Sequence, residues 1–288
     1  MKRYLVFLAL FATTALGQSR FGVEEKETIR RTLEFSSGDG TKTFELTNVF
    51  GSIRVVGYDG RNVELTANKT IRAESGAELE EAKNEVRLDI SDKSSTVRVS
   101  VDYPDAGDRR SYNSWSWNNR FRRRHRDYTV AFDFEIRVPR DTAIRLKTVN
   151  DGVIKVEKVA GDFDVNHVNG DIDMLEASGS GRAYTVNGRL NVTFADNPKK
   201  DSYFGSVNGE IAVTFRPNLS ADLRFKSFNG GVYTDFPATA LNIPPTGERR
   251  NGKFVYKTNG FSGARVGNGG PKIEFDGFNG NVRILRAR

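Results

Sequence analysis

The sequence contains no cysteine, which excludes a disulfide framework, a thiolate metal site, a thiol nucleophile and a lipid-modified cysteine behind an export signal. Histidine occurs twice, as His125 inside an arginine run and His167 inside a repeat. With no His-x-x-x-His or similar spacing, a zinc site has no ligand set to rest on. Tryptophan also occurs twice, at Trp115 and Trp117, and proline only eight times. After the first dozen residues no stretch approaches about 20 consecutive apolar residues, so the remainder has no helical membrane-span pattern.

What is present begins with Lys2 and Arg3, an apolar run over 4–12 and Ala15-Leu16-Gly17, the pattern of an export signal cleaved after Gly17. The expectation is a mature protein that is periplasmic, on the cell surface or secreted, with no transmembrane segment. A lead-in over 18–45 would precede one repeat domain over 46–288. The formal charge of +7 is concentrated in one place. The segment 105–127 holds Arg109, Arg110, Arg120, Arg122, Arg123, Arg124 and Arg126 against three aspartates, which leaves the rest nearly neutral.

A recurring Val-Asn-Gly phrase organises the remainder. Asn150, Asn169, Asn187, Asn208, Asn229, Asn259 and Asn279 are each followed at once, or after one residue, by glycine, at steps of 19, 18, 21, 21, 30 and 20. The long step contains three prolines over 237–250 and reads as an inserted loop. Between the phrases, apolar and polar residues alternate, as in Ile172 and Met174 against Asp171 and Asp173, the pattern of half-buried strands. The fold class is all-β.

A right-handed β-solenoid of about 20-residue coils accounts for the same apolar residue before each Asn-Gly. It would stack Val149, Val168, Val186, Val207 and Phe228 in a core column beside a ladder of asparagine amides. The glycines would supply positive φ at the coil corners. An antiparallel meander or sandwich with Asn-Gly hairpins is the alternative.

The N-terminal third departs from this rhythm. Residues 46–71 read as a first repeat with Gly51-Ser52-Ile53 at its corner. Ala77, Leu79, Ala82, Val86 and Ile90 fit one amphipathic helix starting near Ser75 that caps the stack. Strands are expected at Val97–Val101 and Phe132–Ile136, with Pro139 ending the second. This order of an export signal, a GSIRVVGYDGRNVEL opening, an acidic helix, a strand ending in IRVP and serial VNG repeats resembles the bacterial exported putative-adhesin family over about 45–285. The resemblance implies an all-β, solenoid-like extracytoplasmic domain and brings no catalytic residues with it. The basic aromatic insertion is not part of that pattern.

Two residue sets carry candidate chemistry. Trp115 and Trp117 with Arg120, Arg122, Arg123, Arg124 and Arg126 combine aromatic stacking surfaces with planar cationic forks. That pairing suits an anionic polysaccharide, a lipid headgroup or an envelope protein, whereas export argues against nucleic acid. Asp162, Asp164, Asp171 and Asp173 form a weaker set, for calcium or for acid and base work on a glycan. Outward aspartate at every second position is equally what a solvated strand shows. No cofactor is expected. The sequence therefore points to a non-enzymatic binding or adhesin-like protein, with a polysaccharide-active β-helix enzyme or a ligand-free scaffold as alternatives.

Overall fold

The computed structural model describes residues 21–36, 40–92, 95–103, 127–242, 246–250, 253–257 and 260–288. The fold is mostly β, in two mixed sheets that do not close, with one helix. Sheet A runs, edge to edge, β1 (Val23–Leu33), β4 (Val63–Ala73), β7 (Tyr128–Pro139), β3 (Ile53–Tyr58), β9 (Ile154–Glu157), β11 (Ile172–Ala177), β13 (Leu190–Phe194), β15 (Ile211–Phe215), β23 (Val282–Arg286) and β17 (Val232–Thr234). Sheet B runs β18 (Ala238–Leu241), β21 (Ser262–Val266), β16 (Ala221–Asn229), β22 (Lys272–Asn279), β14 (Ser202–Asn208), β12 (Gly181–Asn187), β10 (Phe163–Asn169), β8 (Ala143–Thr148), β2 (Thr43–Thr47), β6 (Thr96–Asp102) and β5 (Arg87–Ser91). A small hairpin pairs β19 (Thr246–Arg250) with β20 (Lys253–Lys257).

Pairing is parallel through the middle of both sheets and at the β23–β17 end of sheet A, and antiparallel at the other three ends, in β1–β4–β7, β5–β6 and β16–β21–β18. From β8 to β17 the chain alternates between sheet B and sheet A. Each Asn-Gly phrase sits where it crosses from B to A, between β10 and β11 or between β12 and β13, for example. Asn48 to Gly51 make the same crossing from β2 to β3, whereas β4, in the rest of the stretch 46–71, pairs antiparallel with β1 and β7.

The two sheets share one core built of in-register columns. In sheet B, Leu146, Val165, Ala183, Phe204, Phe275 and Phe225 follow one another across strands. In sheet A, Phe134, Ile53, Ile154, Ile172, Leu190, Ile211 and Val282 do so. Phenylalanines join the sheets: Phe194 stacks on Phe215 at 5.3 Å and meets Phe204 edge-on at 6.1 Å.

The asparagine ladder is present, in a different order from the sequence. Asn169 Nδ2 donates to Asn150 Oδ1 at 2.7 Å, Asn187 to Asn169 at 2.8 Å, and Asn208 to Asn187 at 2.8 Å. The next rung is then Asn279, which donates to Asn208 at 2.7 Å, and Asn229 donates to Asn279 at 2.8 Å. The pair β22–β23, at the end of the sequence, lies between the β14–β15 rung and the β16–β17 rung. In the same way β2 and β3 lie between β6–β7 and β8–β9. Asn259 falls outside the described residues.

Of the expected core column of Val149, Val168, Val186, Val207 and Phe228, only Val149 is buried in the core. Val168, Val186 and Val207 are half-exposed and Phe228 is exposed, because Phe163, Val165 and His167 take the inward parity and Val168 must point out. The inward residue two before Asn169, Asn187, Asn208 and Asn229 is polar instead. Thr185 Oγ1 donates to Gly170 O at 2.8 Å, Ser206 Oγ to Gly188 O at 3.0 Å, and Ser227 Oγ to Gly280 O at 3.1 Å. His167 Nε2 lies 3.3 Å from Gly152 O. Each side chain thus satisfies a corner carbonyl of a neighbouring rung, which would otherwise be left without a partner.

The corner glycines answer mainly to space. Gly152 does take a φ of +80°, but Gly188 is absent from the positive-φ residues, and a Cβ there would lie 2.1 Å from Gly170 O. The phrase needs glycine because stacked corners touch.

The helix is shorter than the alternation suggests. α1 (Gly76–Glu85) starts at Ser75, whose Oγ accepts from Glu78 N, and it buries Leu79 and Ala82. Ile90 belongs to β5. The helix packs on the β1–β4–β7 end of sheet A, where Lys69, almost fully buried on β4, donates from Nζ to Val86 O at 2.9 Å and closes its C-terminal end. No helix among the described residues is long and apolar enough to cross a membrane.

Candidate binding face

Register sorts the outward residues of sheet B into three rows. The first runs Arg98, Glu45, Arg145, Asp164, Arg182, Tyr203, Glu274 and Arg224. The second runs Lys147, Asn166, Tyr184, Gly205, Asp276 and Lys226. The third is the valine of the repeated phrase: Val149, Val168, Val186 and Val207, continuing into Phe278 and Phe228.

Along the third row exposure climbs from 9% at Val149 to 47% at Phe278 and 73% at Phe228. The two phenylalanine rings stack at 4.9 Å with a 4° interplanar angle. Beside them Tyr184 and Tyr203 flank Arg182, whose guanidinium carbon lies 5.1 and 5.0 Å from their ring centroids. Tyr203 donates from its hydroxyl to Asp276 Oδ2 at 3.2 Å, and Lys226 Nζ lies 3.0 Å from the same oxygen and over the ring of Phe261. Burial first, and then the Asp276 carboxylate, push the Tyr203 phenol well above its usual range, so it stays protonated and donates. From β12 to β16 this face is a broad aromatic surface with charged groups set into it.

The other end of the same face is saturated with ion pairs. Glu45 takes Arg145 at 2.6 Å and Arg98 at 2.8 Å. Burial alone would raise its carboxyl, but the hydrogen bonds from Arg145 and Arg98 outweigh that and hold it below the usual carboxylate range.

The outer side of sheet A is also laced rung to rung. Arg54 and Lys155 share Glu157 at 3.0 and 2.8 Å, Arg137 pairs with Glu64 at 2.8 Å, and Arg283 pairs with Glu210 at 3.0 Å. A shallow groove there is lined by Arg54, Glu64, Glu135 and Arg137. Its exposed apolar residues are the dispersed Val153, Leu175 and Tyr233.

Of the residue sets expected from the sequence, Trp115, Trp117, Arg120, Arg122, Arg123, Arg124 and Arg126 lie outside the described residues. The four aspartates are not brought together. Asp162 and Asp164 belong to the sheet B side, Asp171 and Asp173 to the sheet A side. Each has its own partner: Asp162 takes Lys200 at 2.7 Å, Asp164 takes Asn166 Nδ2 at 2.7 Å, Asp171 takes Arg189 at 2.8 Å, and Asp173 takes Asn191 Nδ2 at 2.9 Å. Among the described residues no three His, Asp or Glu side chains are grouped to hold a metal ion.

His167 is buried. Desolvation pushes its imidazole below the usual range, against the opposing effects of Gly152 O and Asp171. It belongs to the corner-carbonyl column and takes no part in the face. The aromatic face was missed in the sequence, although alternation counted from Phe163 or Phe204 would have placed the valine row, Tyr184 and Tyr203 outward.

No protein-family model matches the chain, and no curated protein matches it. Among solved structures it is similar to one described as a putative cell adhesion protein from Clostridium sporogenes, at 10% identity and a TM-score of 0.45 over 91% of this chain and 100% of that one. It is also similar to one described as a putative adhesin from Bacteroides fragilis, at 10% identity and a TM-score of 0.34 over 90% of this chain and 97% of that one.

Proposed function

We propose that this chain is an exported, non-enzymatic binding protein of the bacterial envelope, adhesin-like in use, that holds a surface polysaccharide on the outer face of sheet B. The observation that carries this reading is the apolar and aromatic row ending in the stacked, exposed Phe278 and Phe228, continuous with Tyr184 and Tyr203. Adjoining exposed aromatics of this kind gain little for the fold and mark contact surfaces. The scaffold is read as a β-solenoid whose coils each give one strand to each sheet. Support comes from the alternation of strands between sheets and the in-register asparagine ladder. The basic aromatic segment 105–127, with Trp115 and Trp117, is assigned to the same task as a second contact.

A glycan array with the chain beginning at Gln18 tests the reading. Binding should fall at least about tenfold in the double variant Phe228→Ser, Phe278→Ser, and also when 109–126 are removed. If both variants bind as the parent does, the reading is wrong. Intact mass of exported protein should show cleavage after Gly17, and a secreted species retaining Met1 would overturn the assignment of export.

A further inference from the structure

We infer that Arg182, Tyr184 and Tyr203, together with Asp276 and Lys226, form a site for a carboxylate-bearing sugar residue on sheet B; this deepens the proposed function and rests on it. The site is built around an absence of side chain. Gly205 stands opposite Tyr184 in register, and a Cβ on it would lie 2.7 Å from Tyr184 Cδ2 and 2.9 Å from Tyr203 Cε1. Both rings therefore lean across the glycine and roof its buried backbone, which sets them as a low platform beside Arg182. A pyranose presents an apolar C–H face that packs on such rings while its rim of hydroxyls seeks polar partners.

The polar partners are arranged around the platform with capacity to spare. Asp276 spends Oδ2 on Tyr203 and Lys226, which leaves Oδ1 to accept from a sugar hydroxyl. Arg182 is the more telling group. On the same sheet Arg98 and Arg145 share Glu45, Arg265 grips Asp222 through two nitrogens, and Arg224 faces Glu274. Arg182 has aromatic rings where these have a carboxylate, and among the described residues its guanidinium makes no hydrogen bond or ion pair. Asp164, its neighbour in register, is 2.7 Å from Asn166 Nδ2 and forms no ion pair with it.

Ring contacts cover the faces of a guanidinium and leave its N–H edge for an in-plane acceptor. A carboxylate is the acceptor that matches that fork with two parallel hydrogen bonds. An acidic sugar supplies the stacking face and the carboxylate in one residue. The formal charges of Arg182, Lys226, Asp164 and Asp276 cancel, so selectivity would come from the local fork, with little contribution from a broad positive field.

The test uses the full mature chain and two probes, polygalacturonate and the neutral polymer dextran, in affinity electrophoresis at low salt. Polygalacturonate should retard the protein more than dextran does, and Arg182→Gln should lower that affinity about tenfold or more with an unchanged melting temperature. Arg182→Lys should rescue only part of it, because an ammonium lacks the planar fork. Gly205→Ala should weaken binding with Arg182 intact by lifting both rings. Added salt should weaken the parent more than Arg182→Gln. Equal retardation by both polymers, or an Arg182→Gln variant that binds polygalacturonate as the parent does, overturns this site. If the Phe228→Ser, Phe278→Ser variant loses binding in that event, the face survives without the site. No retardation by polygalacturonate overturns the site, and the array result then decides the face.

Discussion

The two sheets are made by the same rungs, yet their outer faces differ. Inward, both carry columns of Ile, Val, Leu and Phe with little exposure. Outward, sheet A fills the space between rungs with Arg–Glu and Lys–Glu pairs, so that its surface is occupied by its own partners. Sheet B does the same at β2, β6 and β8, then changes character from β12 onward, where tyrosine and phenylalanine stand exposed among pairs such as Lys226–Asp276 and Arg265–Asp222. The fold does not require that change, since sheet A shows that lateral pairs serve equally well on an outer face. An exposed aromatic surface carries a cost in solubility and self-association. Its restriction to one end of one face is what marks it as a working surface.

The sharpest way to separate scaffold from face is to strike a rung that both sheets share. Gly188→Ala should destabilise by about 3 kcal/mol, since its Cβ would lie 2.1 Å from Gly170 O and rungs cannot part without losing register. A shift in urea midpoint measures it, and a loss under about 1 kcal/mol would mean that the corners are not in contact. Thr185→Val should cost about 1 kcal/mol by leaving Gly170 O without its hydroxyl donor.

His167→Thr copies Thr185 in the neighbouring rung and should remove a pH dependence. Burial depresses the folded-state imidazole below its unfolded range near 6.5. Its contribution to stability is therefore full above that unfolded value and is lost as pH falls through the lower folded value. The parent should lose midpoint relative to His167→Thr between pH 7.5 and 5, and parallel pH profiles would remove histidine from the account. At the small end, Arg283→Ala on sheet A should cost about 0.5 kcal/mol or less and leave glycan binding unchanged. Asp173→Asn should cost as little.

Much of the scaffold was legible. The repeat spacing located the crossings between sheets, alternation located the strands, and Ser75 located the start of α1. Rung order was not legible, because a period does not say which repeat neighbours which. The insertion after β17 lets the chain leave the stack and return β22 and β23 between rungs already laid down. The outward valines show that apolar character alone does not place a residue in the core. Parity from Phe163 and Val165 places them outward, and it also exposes the buried polar column of His167, Thr185 and Ser206. The platform over Gly205 depends on two tyrosines that are distant in sequence meeting across a parallel pair, which strand order alone reveals. The four aspartates share a spacing, but the crossing from β10 to β11 sends them to opposite sides of the molecule.

Hydroxyl-radical footprinting of the mature chain with and without polygalacturonate tests the central claim, that sheet B holds the polymer and sheet A does not. The account predicts protection of Tyr184, Tyr203, Phe228 and Phe278 on sheet B, with Tyr58 and Leu175 on sheet A unchanged. Protection of Tyr58 and Leu175 with the four sheet B residues unaffected would contradict it.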